Sequence, residues 1–256
     1  MLKTKQNKRT QQVKKRRTVG LISAVQSEGA LLIKGLGLVR RAGPGPACFT
    51  SRAGGTDYVY VVSGMAKANA GHAAGLLIRD YSPDVVVSFG IGGAYPGAGL
   101  TVGDVAVATK EVYADEGVET TKGFHPLEMI GIPMLRARGK RYFNEFPLNR
   151  RLGKRALSAA LTVGRAASGP FATVSTCTGT RKKAVQLRTR LRAICENMEG
   201  AAIAQICSLY GIPCAELRGI SNIVEDRDRS RWDILLAARV ACEAVLALLA
   251  GADLRV

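Results

Sequence analysis

The chain is poor in residues that bind metals. Its 256 residues include two histidines, His72 and His125, and six cysteines without a CxxC pair. A zinc site needs clustered histidine and cysteine ligands, so we expect neither a metal nor a cofactor. The cysteines are expected to be reduced and to pack mostly in the core.

Long apolar runs are also missing. No segment approaches the roughly 18 apolar residues that cross a membrane. The apolar stretch TVGLISAV (18–25) follows the basic KKRR, as in a secretion signal, but Gln26, Ser27 and Glu28 break it at once. We therefore expect a cytoplasmic protein without a membrane span.

Positive charge is concentrated at one end of the chain. The net charge is +17, and residues 1–18 hold eight Lys and Arg and no acid. This segment is predicted to be a disordered tail before one domain, residues 19–256, since no linker, repeat or low-complexity stretch follows. The remaining charge is not interleaved with aromatic residues, so nucleic-acid binding is not expected, although binding through the tail stays open.

Short β-branched apolar runs alternate with segments of helical periodicity. The runs are 18–25, 58–64, 83–90, 102–113, 171–176 and 212–221, and the helical segments are 28–40, 66–81, 147–163, 180–193, 198–210 and 231–250. Runs that are apolar throughout are typical of strands buried on both faces. The alternation predicts an α/β fold with a central, mixed sheet flanked by helices.

Small and polar residues follow most of these strands. In such sheets ligands bind beyond the carboxyl ends of strands, so these positions are the first candidates for chemistry. They are Glu28, Ser63, Gly64, Gly92 in FGIGGA, Ser175 and Thr176 in STCTGT, Ser221 and Asn222. The glycine cluster matches neither GxGxxG nor a P-loop, and both a close ligand approach and a tight structural turn explain it.

Met198 and Glu199 begin an alanine-rich helical segment. Glu199 can be an ordinary first-turn acid that stabilises the helix dipole, or it can accept two hydrogen bonds from a vicinal diol such as ribose. Taken singly, Glu28 and Asn222 have structural explanations too, as a first-turn acid and a helix cap.

Four ordered motifs together resemble the nucleoside phosphorylase and nucleosidase superfamily, and most closely its methylthioadenosine/adenosylhomocysteine nucleosidase branch. The motifs are VGLISAVQSEGALL, SGMAKANAGHAAGLLIRDYSPDVVVSFGIGGA, NMEGAAIAQIC and ELRGISNIVED. The resemblance covers residues 18–250 and implies a three-layer fold. It also implies that Glu28 activates water, that Met198 and Glu199 bind ribose, and that a neighbouring subunit completes the pocket of a homodimer or higher homo-oligomer.

Two departures from that branch concern the substrate. Its adenine-protonating Asp is Asn222 here, and an amide cannot be that acid, but it can donate a hydrogen bond to a hypoxanthine-type base. The loop after the first strand has no phosphate-binding Arg before Arg40, and Glu28 would repel phosphate, which favours water as nucleophile. With these departures, STCTGT in the base loop and RDRSRW after the last strand, the chain resembles the futalosine hydrolase subfamily. Enzymes of that subfamily remove hypoxanthine from futalosine in menaquinone biosynthesis.

Further roles follow from this resemblance. Ser221 and the loop of residues 175–178 would complete the base pocket. Arg218 would orient Glu199 or Asn222, or form a structural ion pair. The aryl carboxylate of futalosine needs a cation, for which Lys122, His125 and Arg227 are candidates, and Trp232 could stack on the aryl group or pack in the core. A methylthioadenosine/adenosylhomocysteine nucleosidase and an inosine-type purine nucleoside phosphorylase remain alternatives.

Overall fold

The computed structural model describes residues 16–251, in which strands and helices alternate along the chain. The strands are β1 Arg17–Ser23, β2 Val39–Arg41, β3 Ala47–Ala53, β4 Thr56–Val62, β5 Val85–Ala94, β6 Val105–Tyr113, β7 Gly117–Thr120, β8 Gly123–Pro126, β9 Leu135–Ala137, β10 Lys140–Tyr142, β11 Glu145–Pro147, β12 Ala166–Thr173, β13 Cys195–Asn197 and β14 Cys214–Ile223. The α-helices are α1 Ala30–Gly35, α2 Lys67–Tyr81, α3 Arg150–Val163, α4 Arg181–Leu191, α5 Gly200–Tyr210 and α6 Ile234–Ala250. Within the described range, none of them is long and apolar enough to cross a membrane.

Side-chain caps fix where three of the helices begin. Asn149, Thr180 and Asp233 precede α3, α4 and α6, and the side chain of each accepts a hydrogen bond from the backbone N–H three residues later. Such caps satisfy a backbone donor that the first turn leaves unpaired. Asp233 therefore caps the helix that follows β14, and Asn222 does not.

The start of β1 corrects the predicted end of the basic tail. Residues 1–15 lie outside the described part of the chain. Thr18 was assigned both to the tail and to the first predicted strand, 18–25, and β1 begins one residue earlier, at Arg17. They pair with Thr56 and Asp57 of β4, and the backbone N–H of Thr18 donates to Asp84 at 2.8 Å. Regular pairing with a neighbouring strand thus begins before the predicted boundary.

The main sheet is mixed and contains a closed ring of strands. Its order is β11-β6-β12-β13-β5-β1-β4-β3-β2, and β14 is hydrogen-bonded to both β5 and β6. β14 runs parallel to β5 and antiparallel to β6. Because β6 also pairs with β12, β12 with β13 and β13 with β5, these five strands close on themselves. Closure removes sheet edges and surrounds the side chains that point inward.

Helices cover both faces of this sheet. Val85 and Val87 of β5 pack in one apolar cluster with residues of α3 and α6, whereas Val86 packs in another with residues of α2 and α5. Neighbouring residues of a strand point to opposite faces, so the two clusters are the two sides of the sheet. The predicted α/β fold with a mixed sheet between helices is confirmed.

Several local predictions were wrong. The helix predicted over 28–40 is a 3₁₀ turn, Gln26–Gly29, followed by α1, which ends at Gly35 just before Gly37 in a left-handed conformation at φ 59°. β2 and β3 follow, and neither had been predicted. Of the two explanations left open for the glycine cluster, a turn does not apply to FGIGGA, since β5 runs through it to Ala94.

Candidate active site

Glu28 is buried at the carboxyl end of β1, and backbone donors hold it in place. Its side-chain Oε2 accepts hydrogen bonds from Ala24 N and Val25 N, both at 3.1 Å, and Oε1 accepts from Ile91 N at 2.8 Å. Glu28 belongs to the 3₁₀ turn Gln26–Gly29. The next residue, Gly29, lies against Tyr60, and a β-carbon on Gly29 would overlap the Tyr60 side chain. A carboxylate offers about four acceptor positions, so Glu28 can still accept a proton from a bound molecule.

Burial makes Glu28 more basic than an ordinary glutamate. Desolvation is the largest influence on its pKa and raises it, while the charge of Arg218 and the N–H groups of Ile91 and Val25 lower it in part. The net result is a raised pKa. A carboxylate with a raised pKa is better matched to taking a proton near neutral pH than a solvent-exposed one.

Glu199 lies immediately before α5, close enough to Glu28 for its charge to contribute to the raised pKa of Glu28. Its Oε1 accepts a hydrogen bond from Ala66 N at 3.1 Å, and its Oε2 accepts one from Arg218 Nη1 at 3.3 Å. The loop after β4 aims the Ala66 N–H group, because Gly64 and Ala66 both adopt positive φ angles, 85° and 77°. Ser63 anchors that loop, since its backbone N–H donates to Ser23 O at 2.8 Å.

Arg218 of β14 links the acids of the site. Its Nε donates to Glu216 Oε1 at 2.8 Å, and its Nη1 donates to Glu199 and to the carbonyl of Ile91 at 3.2 Å. Burial lowers the pKa of Arg218, but the carboxylates Glu216, Glu199 and Glu28 outweigh that effect and raise it. Arg218 therefore stays charged, and it orients Glu199, not Asn222, while it also forms a buried ion pair with Glu216.

A second group of polar side chains lies inside the strand ring, and the sequence analysis missed it. Glu111 of β6 accepts hydrogen bonds from Thr173 of β12 and Asn197 of β13, each at 2.7 Å. Glu216 points to the same place, because a β-carbon on Gly200 would overlap both Glu111 and Glu216. Burial, followed by repulsion from Glu216, raises the pKa of Glu111 well above its ordinary value. The signal was a glutamate inside each of two apolar runs, VGDVAVATKEVY and IPCAELRGIS.

Asn222 lies near the end of β14 with its amide held in one orientation. Ser221 Oγ donates to Asn222 Oδ1 at 2.8 Å, and Asn222 Nδ2 donates to the carbonyl of Ile223 at 3.1 Å. The amide nitrogen carries two hydrogens, so one remains available to a ligand. Asn222 also pairs with Gly93 of β5. Gly93 lies two residues beyond Ile91, whose backbone N–H donates to Glu28. That spacing along a strand separates the two positions by about 7 Å.

A cavity of about 160 Å³ adjoins Asn222. Its wall includes Thr178, Arg227 and Trp232. The carboxylate of Glu196 accepts from Thr178 N at 2.9 Å and from Thr178 Oγ1 at 2.6 Å, which fixes this part of the wall. Thr178 belongs to the loop of residues 175–178 that the sequence analysis assigned to the base pocket, whereas Glu196 was not singled out.

The other predicted site residues, Ser175, Thr176, Met198 and Gly92, lie outside the lining of this cavity. Ser175 and Thr176 are exposed and do not line this cavity, while Met198 contacts the same loop through Cys177, sulfur to sulfur at 3.3 Å. Gly92 lies within β5, where a β-carbon would come within 2.5 Å of Cys195 Sγ, so neighbouring protein atoms already require its small size.

The candidates for the aryl carboxylate are spread out. Lys122 lies in the turn between β7 and β8, His125 in β8 contacts Thr120, and Arg227 stacks on Trp232. The structure therefore brings only Arg227 to the cavity beside Asn222.

Comparison with known proteins places this chain in a family. The model of the phosphorylase superfamily matches residues 18–252. A futalosine hydrolase of Thermus thermophilus is 36% identical over 199 residues, 77% of this chain and 83% of that protein. A 5'-methylthioadenosine/S-adenosylhomocysteine nucleosidase of Geobacillus thermodenitrificans is 30% identical over 205 residues, 78% of this chain and 82% of that protein. The structure of the Neisseria meningitidis nucleosidase with methylthio-immucillin-A has a TM-score of 0.79 at 22% identity, covering 92% of this chain and 100% of that one.

The chain belongs to the phosphorylase superfamily. The predicted membership and three-layer fold are thereby confirmed. Between the two sequence relatives, the identity is higher with the futalosine hydrolase than with the nucleosidase.

Proposed function

We propose that the protein hydrolyses the N-glycosidic bond of futalosine, releasing hypoxanthine and dehypoxanthine futalosine, as a cytoplasmic step of menaquinone biosynthesis. The observation that carries this proposal is the amide of Asn222, which Ser221 holds with one N–H available beside a base-sized cavity. An amide donor suits the keto oxygen and adjacent ring nitrogen of hypoxanthine. The 36% identity to a futalosine hydrolase supports the same substrate.

The sugar end of the proposed site contains Glu28 and Glu199. Glu28 takes a proton from a water molecule while the water oxygen attacks the anomeric carbon. The electron pair of the glycosidic bond leaves with the base. The sugar acquires positive charge as the bond breaks, and the nearby carboxylates stabilise that charge electrostatically. Glu199 binds the sugar hydroxyls, with Arg218 and the Ala66 N–H group fixing its orientation.

The base end contains Asn222, whose amide cannot donate a proton to the base as a carboxylic acid would. Asn222 stabilises the departing hypoxanthine by a hydrogen bond, and the base then takes a proton from water. This mechanism relies on the leaving ability of a six-keto base. A methylthioadenosine/adenosylhomocysteine nucleosidase, the first alternative, requires an acid where this chain has Asn222.

The second alternative, a phosphorolytic enzyme, requires a cation for phosphate. The loop after β1 presents Glu28, and Arg218, the buried cation nearby, already contacts Glu216 and Glu199. A phosphate ion would displace those contacts and face three carboxylates. Water is therefore the nucleophile in the proposed reaction. The third alternative, nucleic-acid binding through the basic tail, falls largely on residues outside the described range.

One experiment separates these functions. The purified protein is incubated with futalosine, inosine or methylthioadenosine, with and without phosphate, and the released base is identified by chromatography. Hypoxanthine from futalosine, at a rate that phosphate does not change, is the expected result. Release of adenine, or a requirement for phosphate, would contradict the proposal.

The active form is proposed to be a homodimer or higher homo-oligomer. Sedimentation of the protein at the concentration used for the assay measures its mass directly, and a monomer with full activity would exclude a pocket completed by a second subunit.

A further inference from the structure

Two glutamates, Glu111 and Glu216, form an acid pair inside the strand ring. Their side chains are almost completely buried, with exposed fractions of 0% and 1%. A β-carbon on Gly200 would overlap both Glu111 Oε1 and Glu216 Oε2, so these two oxygens lie within about 5 Å of each other. Within the described part of the chain, Glu216 Oε2 has no hydrogen-bond partner. A buried acceptor without a donor is costly, and this one lies beside a second carboxyl group.

One proton on the acid pair accounts for this arrangement. Two ionised carboxylates this close in a buried site repel each other strongly. A proton between them removes one negative charge and gives Glu216 Oε2 a donor. Arg218 donates to Glu216 Oε1 at 2.8 Å and favours the ionised form of Glu216, whereas the donors to Glu111, Thr173 and Asn197, are uncharged. These neighbours therefore assign the proton to Glu111, and the raised pKa of Glu111 agrees.

The other titratable groups that face the acid pair include Arg218, Cys195, Cys214 and Tyr113. Burial raises the pKa of the Cys195 thiol and of the Tyr113 phenol. A hydrogen bond with Cys207, together with burial, raises the pKa of the Cys214 thiol. These three groups are thus neutral near pH 7, and the single positive charge of Arg218 balances at most one carboxylate of the acid pair.

Both members of the acid pair connect to Glu199. Glu216 holds Arg218, whose Nη1 donates to Glu199 Oε2 at 3.3 Å. Glu111 Oε1 accepts from Asn197 Nδ2 at 2.7 Å, and Asn197 Oδ1 accepts from Glu199 N at 3.0 Å. One contact therefore fixes the carboxylate of Glu199 and the other fixes its backbone.

We propose that Glu111 and Glu216 share one proton, carried by Glu111 and donated to Glu216 Oε2, and that the protonated pair positions Glu199. The proton is taken up from solvent when the chain folds. Both glutamates are positioning residues, because they act through Arg218 and Asn197. The positioning role rests on the proposed function, since it takes Glu199 to bind the sugar hydroxyls, whereas the shared proton does not depend on the substrate.

Denaturant unfolding of the wild type and of Glu111→Gln at several pH values measures the proton. Glutamine keeps the size and the donor of a protonated glutamate but takes up no proton. The stability that the proton confers is complete below the ordinary glutamate pKa of 4.5 and is lost as the pH rises towards the raised pKa of folded Glu111. The unfolding constant of the wild type, divided by that of Glu111→Gln, should therefore increase about tenfold per pH unit from about pH 5.5 to 7. A ratio that stays constant over this range would overturn the shared proton.

Infrared spectroscopy detects the same proton directly. A protonated carboxyl group has a carbonyl stretching band at higher frequency than the bands of a carboxylate. The wild type should show such a band near pH 7, and Glu111→Gln should lose it. The matched control is Glu145→Gln, which removes an acid that is 54% exposed and paired with Lys110, and which should leave the band in place. A band that is absent from the wild type or unchanged in Glu111→Gln would contradict the proposal.

Steady-state kinetics with futalosine tests the positioning role. Glu111→Leu removes the donor to Glu216 and the acceptor for Asn197, so it should raise KM roughly 2- to 10-fold, as expected for one lost hydrogen bond, and change kcat less. Glu111→Gln should restore a KM near that of the wild type. If thermal unfolding shows that Glu111→Leu is not folded, Glu216→Gln, which keeps the side-chain size but weakens the hold on Arg218, should show the same rise in KM. An unchanged KM in the folded variant would refute the positioning role.

The outcomes distinguish this inference from the proposed function. If futalosine is hydrolysed but the unfolding ratio is constant and the infrared band is missing, the shared proton is refuted and the function stands. If futalosine is not hydrolysed, the proposed substrate and the positioning role are wrong, while the unfolding ratio and the infrared band still decide whether the acid pair holds a proton.

Discussion

Replacing Arg218 with Met tests whether one buried cation holds the acids of the site together. Arg218 is 2% exposed and lies 2.8 Å from Glu216 and 3.3 Å from Glu199. Removing one partner of a buried ion pair leaves an uncompensated charge and costs about 3–5 kcal/mol. At about 2–4 °C per kcal/mol for a domain of this size, the melting temperature of Arg218→Met should fall by roughly 6–20 °C.

Chemical and thermal unfolding of three further variants make the test specific. Arg239→Met removes an arginine that is 56% exposed and pairs with Glu243 one helical turn away, so it should cost less than about 1 kcal/mol. Arg218→Lys should lie between wild type and Arg218→Met, because one ammonium group cannot reproduce the two-sided contacts of a guanidinium. Adding Glu216→Gln to Arg218→Met should restore part of the lost stability, because it removes one of the unpaired charges. A loss below about 1 kcal/mol for Arg218→Met, or a double variant whose loss is the sum of the single losses, would refute the described charge balance.

Three further changes test individual positions. Glu28→Gln should lower the rate of futalosine hydrolysis roughly 100- to 10,000-fold with binding retained. The wild-type rate should fall as the pH drops through the raised pKa of Glu28, because Glu28 must be ionised to accept a proton. Steady-state kinetics against pH measures both effects, and an undiminished rate in Glu28→Gln would show that Glu28 does not activate the water. Asn222→Asp should slow hypoxanthine release, since a carboxylate repels the keto oxygen, and an unchanged rate would mean that Asn222 does not contact the base. Gly200→Ala should lower the free energy of unfolding, measured with denaturant, by about 1–3 kcal/mol, because its β-carbon would overlap Glu111 and Glu216. Alanine stabilises a helix by less than about 1 kcal/mol relative to glycine, which is too little to make the variant more stable than the wild type.

The features that the sequence predicted are those that depend on local periodicity. The long apolar strands β1, β5, β6 and β14 and the helices α2 and α5 appear near their predicted bounds. The short strands β7 to β11 were not predicted, because they are three or four residues long and few of their residues are buried, so burial imposes no pattern on them. Helix α1 is shorter than predicted because the glycines after it end the helix before its apolar periodicity does.

Long-range pairing accounts for most of what the sequence did not reveal in the site. Closure of the strand ring through β14 brings Glu111 and Glu216 together, although they lie more than a hundred residues apart. Glu28, Glu199 and Asn222 could be selected as candidates because each follows a strand or precedes a helix in a recognisable motif. The partners that orient them could not, since backbone groups such as Ile91 N and Ala66 N carry no sequence signal.

The two ends of the site differ in charge, and this difference connects the structure to the proposed chemistry. At the proposed sugar end, Glu28, Glu199 and Glu216 lie near Arg218, so acids outnumber the cation and positive charge on the sugar would be favoured. At the base end, an aspartate would have to be protonated before it could contact a keto oxygen, and the acids nearby would make the negative charge on it costly. Asn222 donates the same hydrogen bond at every pH. An uncharged donor at that strand end therefore suits a six-keto base, whereas Glu28 and Glu199 lie at the proposed sugar end, where bond cleavage produces positive charge.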